Sequence, residues 1–320
     1  MEHITKIEIV QALTSYMQEH KIKPADVASK TGVNAGYLSK ILQPNSNFMY
    51  DAGAGNQGFI SVKHFLALAD FCGYKTEKVY WQTQPTAQTN AVLGHLQDGK
   101  DNAQTLVLIG ETGCGKSYTA NLFSIKNPLD TFIITAGSSD SLVDLIEKIR
   151  AALNINVATI SKSAKIRSIA EKLRSLTFQQ HKPMLIIDES EYLKVPALCA
   201  IKEIHDYVHQ YCSIVLIGTD QLVSNIERLK IRNQSGIPQF HRRIKFGLRV
   251  LPSIDRAFEM FISDIEDRDL KKFLLDNCSN YGELHDIIVP ATREAERLNQ
   301  PLSLGLVRTV LNLPEGNLRW

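Results

Sequence analysis

No two of the five cysteines form a CxxC pair. Cys72, Cys114, Cys199, Cys212 and Cys278 are odd in number and scattered, which supports neither a disulfide framework nor a zinc site. Reduced thiols are expected. Long hydrophobic runs are missing too. Stretches such as Met184–Ile187 fall far short of the roughly 20 apolar residues that cross a bilayer. Met1-Glu2-His3-Ile4 shows no basic segment leading into an apolar one, so no signal peptide is read there. A soluble, cytoplasmic protein with no membrane partner is the expectation. A large charge of one sign is also absent. Lys and Arg number 36 against 34 Asp and Glu, a formal charge of +2. That excludes a histone-like chain but permits local basic patches. Neither an internal repeat nor a low-complexity tract is found.

What is present suffices for cores. The 320 residues are 44% hydrophobic and 22% charged, and a chain of this length suggests two or three domains at about 150 residues each. Three sections separate along it. In residues 1–82, Ile7, Val10, Leu13 and Met17 recur at helical spacing over 4–19. Pro24 opens a short helix that stops at Gly32, and Asn34 caps the next, which carries Tyr37, Leu38, Ile41 and Leu42. Two short helices joined by a turn with Gly read as a helix-turn-helix. Residues 44–58 read as a loop, Ser61–Cys72 as a further helix, and 74–90 as a linker rich in Thr, Gln and Pro.

Residues 83–250 alternate apolar runs with helical stretches. The strand candidates are Thr105–Ile109, Thr131–Ala136, Pro183–Asp188, Ser213–Gly218 and Ile244–Val250, a pattern that predicts a parallel sheet buried on both faces. Residues 251–320 show helices alone, expected at 253–264, 267–278, 281–298 and 302–312.

Gly110-Glu111-Thr112-Gly113-Cys114-Gly115-Lys116-Ser117 fits GxxxxGK[ST] in full. The glycines let backbone N–H groups close around phosphate oxygens, and the helix that follows points its N-terminus at the same anion. Lys116 supplies charge between the outer phosphates, and Ser117 a hydroxyl for Mg²⁺. Gly110 through Ser117, with Tyr118 beside them, are the residues expected to hold a nucleotide. Met184-Leu185-Ile186-Ile187-Asp188-Glu189 puts two acids at a strand's C-terminal edge, where open α/β sheets bind ligands. Asp188 is the second Mg²⁺ ligand expected, and Glu189 would polarise the attacking water. The strand over 131–136, between these motifs, points to NTPases whose catalytic Glu follows the Asp. Thr219 ends the next strand and could hydrogen-bond the γ-phosphate or the water, or simply serve a turn.

The small net charge hides two basic clusters. Seven Lys or Arg residues (Arg228, Lys230, Arg232, Arg242, Arg243, Lys245, Arg249) and His241 fall between 228 and 249 without an acid. Either Arg242 or Arg243 could reach a phosphate held by a neighbouring subunit, with Arg243 preferred. Lys162, Lys165, Arg167, Lys172 and Arg174 lie on an amphipathic helix with Glu171 as the one acid among them. Such a face is either merely solvated or touches a DNA backbone, with Lys162, Lys165 and Arg167 as candidates.

GETGCGKS, LIIDESEYL, IVLIGT and FHRRI, in this order and before a helical tail, resemble an AAA+ ATPase. The helix-turn-helix in front and the run IVLIGTDQLVSNI make the chain similar to the Mu-type phage transposition B family and related AAA+ transposition regulators. The resemblance implies an α/β fold: a P-loop core with a parallel five-stranded sheet and helices on both faces, an all-α helix-turn-helix domain before it and a small helical lid after it. It implies ATP and Mg²⁺ as cofactors. Oligomers on double-stranded DNA, as helical filaments or rings, target capture, stimulation of a partner transposase and release on ATP turnover are implied as well. Thr219 would be the first sensor and Arg243 the finger acting in trans. The lid departs from the family's GxxR, because Gly282-Glu283-Leu284-His285 has His in the Arg place. A neutral His is the poorer phosphate partner, so slow hydrolysis dependent on DNA and assembly is expected. Two further readings stand beside this one. The first is an ATP-gated regulator reading an operator through Asn34, Ala35, Tyr37 and Lys40. It is weakened by a nearly neutral N-terminal section with eight Lys, no Arg and seven acids through residue 82. The second is a helicase loader.

Overall fold

The computed structural model describes residues 3–44, 46–53, 56–75, 78, 80–156 and 161–313. It begins with α1 (His3–Glu19), α2 (Pro24–Thr31) and α3 (Ala35–Ile41). Gly32 ends α2 at φ 69° and donates its N–H to Ala28, a left-handed position that glycine takes at little cost. The Asn34 side chain caps α3 through the Gly36 N–H at 2.8 Å. Residues expected as a loop form an antiparallel hairpin instead, β1 (Met49–Gly53) and β2 (Asn56–Phe59), with Met49 opposite Phe59. Gly53 and Asn56, part of the composition that suggested a loop, pair at its closed end, while buried Phe48 and Ile60 anchor its open end, joined by a 2.8 Å hydrogen bond. This unit is therefore not all-α. Residues 45, 54 and 55 of that stretch lie outside the described residues. α4 (Val62–Cys72) closes a core of Ile9, Leu13, Val27, Leu38, Ile41, Phe65 and Leu68.

α5 (Ala87–Asp101) starts inside the expected linker. Thr86, just after Pro85, caps it through the Thr89 N–H, and Val92 and Leu96 are buried. Then come β3 (Thr105–Ile109), α6 (Lys116–Lys126), β4 (Thr131–Thr135), α7 (Leu142–Ala152), α8 (Lys162–Phe178), β5 (Met184–Asp188), α9 (Val195–Val208), β6 (Ser213–Gly218), α10 (Asp220–Ile231), α11 (Ile237–Ile244) and β7 (Leu248–Val250). The five strands pair in parallel in the order β4-β5-β6-β3-β7. Alternation sorts their side chains into two cores. Val107, Ile109, Leu185, Ile187, Ile214 and Leu216 meet α7 to α11 on one face. Leu106, Leu108, Met184, Ile186, Val215 and Ile217 meet α5, α6 and the C-terminal helices on the other.

The last strand is shorter than expected. Buried Ile237, Phe240 and Ile244 recur at helical spacing, so Arg242 and Arg243 sit on α11 and not at a strand's entrance. The C-terminal helices are α12 (Glu259–Ile262), α13 (Arg268–Asn277), α14 (Tyr281–Leu298) and α15 (Leu304–Leu311). The helix expected over 253–264 shrinks to α12, because Phe258 takes a left-handed φ of 51° just before it. Residues 314–320 lie outside the described residues.

The N-terminal unit rests on the core. Ile125 and Leu129, at the end of α6 and just after it, pack against its apolar cluster. Lys30 donates to the Thr131 carbonyl at 3.1 Å and lies 3.6 Å from the centre of the Phe132 ring. Among the described residues no helix is long and apolar enough to cross a membrane.

Candidate nucleotide-binding site

The loop between β3 and α6 is built by its glycines. Gly113 and Gly115 take φ values of 72° and 89°. A Cβ at Gly113 would collide with the side chain of Asn280, the cap of α14, so this glycine also allows α14 to start close against the loop. The N–H groups of Gly113, Gly115 and Ser117 donate to no backbone acceptor among the described residues. They are thus available to an anion, at the N-terminus of an 11-residue helix. Lys116 Nζ lies 2.7 Å from the carbonyls of both Gly110 and Glu111 and 3.9 Å from Cys114 Sγ. Ser117, Thr112 and Tyr118 are exposed, and Cys114 is buried, which pushes its thiol up. Glu111 does not face the anion site. It accepts from the Ile254 N–H at 3.1 Å and from Arg256 at 2.6 Å, and these bonds hold its carboxyl below the usual range. It latches the loop to the chain beyond β7.

A cavity of about 540 Å³ opens from Gly113–Tyr118 towards the lid. Tyr80, Trp81, Phe261 and Tyr281 are among the residues that line it away from the loop. Trp81 stacks on Phe261 at 4.8 Å and 13°, and His285 meets Trp81 edge-on at 5.3 Å. Tyr281 donates to Gln88 at 3.0 Å, and Gln88 in turn holds the Pro252 and Ser253 carbonyls. A volume of this size with a phosphate loop at one end and flat aromatics at the other fits a nucleotide. His285 and Arg293 stand two turns apart on the wall made by α14, and Arg293 lies 5.8 Å from the Tyr80 ring.

Parallel register sets the other half of the site. Ile109 pairs with Gly218, and Ile187 with Leu216, so the end of β6 lies between the P-loop and the acids of β5. Asp188 is buried and accepts from the Glu189 N–H at 2.9 Å. Glu189 is exposed at φ 52°, and its side chain makes no hydrogen bond or ion pair among the described residues. Thr219 stands at the N-cap position of α10, but its side chain makes no cap bond; its hydroxyl donates to Glu191 Oε1 at 3.2 Å. Ser117 and Asp188 have the oxygen chemistry that suits Mg²⁺.

The basic residues fare unevenly. Arg243, preferred as the finger, is tied within its own chain: Nε lies 2.5 Å from Asp206, and Nη1 donates to the Gln239 carbonyl. Arg242 is exposed and makes no such bond among the described residues. The acid-free segment is partly offset from outside, because Glu227 binds Lys230 at 3.0 Å and His241 at 2.8 Å. On α8, Lys162 and Arg167 are exposed, while Lys165 pairs with Glu147 at 2.7 Å. On α3, Asn34 spends its side-chain oxygen on the cap. Tyr37 packs against Tyr50 and His64 at about 5 Å, so it is not free to reach into a groove. Lys40 borders a polar groove between α3 and the hairpin.

The aromatic clasp of Trp81 and Phe261, the latch of Arg256 on Glu111 and the position of Glu191 were not anticipated. Glu191 had a signal, since a third acid follows Asp188-Glu189 closely. The others come together only in space.

The AAA domain family matches residues 99–226. The chain is 24% identical over 249 residues to the Mu-like prophage FluMu DNA transposition protein B of Haemophilus influenzae, covering 76% of this chain and 77% of that protein. Among solved structures, the Orc1 protein of Aeropyrum pernix, in complex with DNA, has a TM-score of 0.55 at 14% identity, covering 76% of this chain and 68% of that one. That likeness is one of fold, which here is a five-stranded parallel sheet between two layers of helices.

Proposed function

We propose that this chain, an AAA+ protein that resembles the Mu-type transposition protein B, is an ATPase that assembles on double-stranded DNA, captures target DNA and stimulates a partner transposase. It would be built from a helix-turn-helix domain (1–82), an ATPase core (83–250) and a helical lid (251–320). The observation that carries the reading is the meeting, at one edge of the sheet, of the P-loop with Asp188, Glu189 and Thr219, in a chain similar to a DNA transposition protein.

In this reading Lys116 and the free N–H groups of the loop hold the β- and γ-phosphates of ATP. Ser117 and Asp188 hold Mg²⁺, which supplies charge neutralisation of the phosphates when bound. Glu189, unpaired and exposed, takes the proton of the attacking water. The Trp81 side of the cavity receives the base. Arg242 replaces Arg243 as the finger offered to a neighbouring subunit, because its guanidinium is the uncommitted one. His285 in place of the lid Arg leaves intrinsic hydrolysis slow.

Lys162 and Arg167 are the candidates for phosphate contacts, which carry no base information and weaken with salt. The packing of Tyr37 against Tyr50 argues against operator reading by α3. Electron microscopy of the protein with duplex DNA and a non-hydrolysable ATP analogue tests assembly, with filaments or rings around DNA expected. Free monomers under those conditions overturn the oligomer. Capture of a replicative helicase but not a transposase would move the assignment to helicase loading.

A further inference from the structure

Glu191 lies on the 3-10 turn Ser190–Tyr192 that follows Asp188 and Glu189. Its Oε1 accepts the Thr219 hydroxyl at 3.2 Å, and its Oε2 is buried without a hydrogen-bond partner. A Cβ on Gly218 would stand 2.7 Å from that Oε2, so the carboxylate occupies space that a larger residue would fill. Asn225 holds the Glu191 carbonyl at 3.4 Å from α10. The carboxylate is thus wedged between the end of β6 and the start of α10, directly beside Thr219.

Thr219 has the extended backbone of a helix N-cap, φ −99° and ψ 178°, yet its side chain makes no cap bond. A threonine there ordinarily turns its oxygen to the helix N–H groups. Here the carboxylate has outcompeted them. A hydroxyl has one proton and two lone pairs, and a carboxylate can only accept, so the single proton of Thr219 is spent on Glu191. What remains for the P-loop side is lone pairs. These repel a phosphate oxygen but accept a hydrogen bond from water. A buried acceptor with one oxygen left unpaired is costly, and a cost at this place calls for a use.

We infer that Glu191 is a positioning residue that fixes Thr219 as a hydrogen-bond acceptor, so that Thr219 orients the attacking water and does not donate to the γ-phosphate. This rests on the ATPase reading above. Glu191 touches neither nucleotide nor water; it acts through Thr219. Its loss should therefore lower turnover without weakening ATP binding.

The test is steady-state ATP hydrolysis on duplex DNA by the full chain, with ATP binding followed separately by a fluorescent ATP analogue. Glu191→Ala should lower kcat about tenfold with KM changed less than about twofold, the signature of an interaction used only in the transition state. Glu191→Gln keeps an acceptor at Oε1 and should stay within about threefold of the parent rate. The double variant Glu191→Ala with Thr219→Val should be no slower than Thr219→Val alone, because both act through one contact. Unchanged kcat in Glu191→Ala, loss of ATP affinity in step with kcat, or a Gln variant as slow as Ala each overturns the inference. If Glu191→Ala does not fold, Thr219→Val against Thr219→Ser carries the same split: the Val variant slow at unchanged KM, or the inference fails. Lys116→Ala separates the two levels. A parent chain that neither binds nor hydrolyses ATP, like Lys116→Ala, overturns the ATPase reading and this inference with it. A parent chain that turns over ATP while Glu191→Ala matches it overturns the inference alone.

Discussion

The hydroxyl of Tyr16 donates to the carbonyl of Ile125, the next-to-last residue of the P-loop helix. Its 11 residues span about 16 Å at 1.5 Å per residue. One rigid helix therefore carries the phosphate loop at its N-terminus and the N-terminal unit at its C-terminus. The chain that joins that unit to the core also lines the nucleotide cavity, through Trp81, Thr83 and Thr86. The phosphate loop with its cavity and the N-terminal unit thus share two physical connections.

Removing the Tyr16 contact should loosen the joint. Tyr16→Phe keeps the ring in its apolar site and deletes one hydrogen bond, a loss of about 1 kcal/mol. Limited proteolysis should then cut the stretch around Lys75–Trp81 about five times faster than in the parent chain, if cleavage follows the open population. Added ATP should slow cleavage in both. Identical cutting rates for the two chains would show that the bond adds nothing to docking.

The paired motifs predict a separation of binding from chemistry. Lys116→Ala removes the charge that holds the outer phosphates and should abolish ATP binding and nucleotide-dependent assembly. Glu189→Gln keeps size and exposure but removes the base, so ATP should still bind and its DNA complexes should persist. Equilibrium binding together with single-turnover hydrolysis distinguishes the two. Rapid turnover by the Gln variant would remove Glu189 from the role of base.

Lys30 makes the docking pH-dependent. Burial against Phe132, with Lys100 and Lys172 nearby, outweighs the pull of Asp130 and brings its ammonium down to about 7 from an ordinary 10.5. Between those values the unfolded chain holds a proton that the folded one lacks, so stability rises with pH from about 7 upward. Below about 7 the folded chain must carry the buried charge. Lys30→Met should be the more stable chain at pH 6, and the advantage should shrink by pH 9. Urea midpoints of both chains across that range give the comparison. A constant difference would mean that Lys30 titrates normally.

The phosphate loop was legible because its chemistry is local: glycines, Lys116 and Ser117 act on one ligand from one turn of chain. Strands β3 to β6 were legible because burial on both faces leaves apolar runs. The surroundings that were not legible depend on partners far away in sequence. Arg243 meets an aspartate 37 residues earlier, and Tyr37 is covered by Tyr50 and His64 from the hairpin and α4. Trp81 finds Phe261 only when the lid folds back. A charge count cannot see Glu227 standing just outside an acid-free window. The hairpin was hidden because residues 44–58 are rich in Asn and Gly, a composition that is also that of a loop.

Arg242 and Arg243 are neighbours with opposite situations, and a mixing experiment separates them. Arg243 spends its guanidinium on Asp206, which Lys202 also holds at 2.8 Å. Arg243→Ala should therefore act mainly on folding, by about 1 kcal/mol for a partly buried ion pair. Arg242→Ala should leave the thermal midpoint and ATP affinity unchanged and lower DNA-stimulated turnover by about 100-fold or more, the effect of losing a finger. If Arg242 acts across the subunit boundary, two inactive chains should complement each other. An Arg242→Ala subunit has an intact Glu189, and a Glu189→Gln subunit has an intact Arg242. Where the first binds ATP and the second stands beside it, one complete site forms. Mixed oligomers should then recover a fraction of parent activity that neither variant shows alone, rising and falling with their ratio. A finger acting within its own chain gives no recovery at any ratio, and Arg243→Ala in place of Arg242→Ala should give none beyond its own activity.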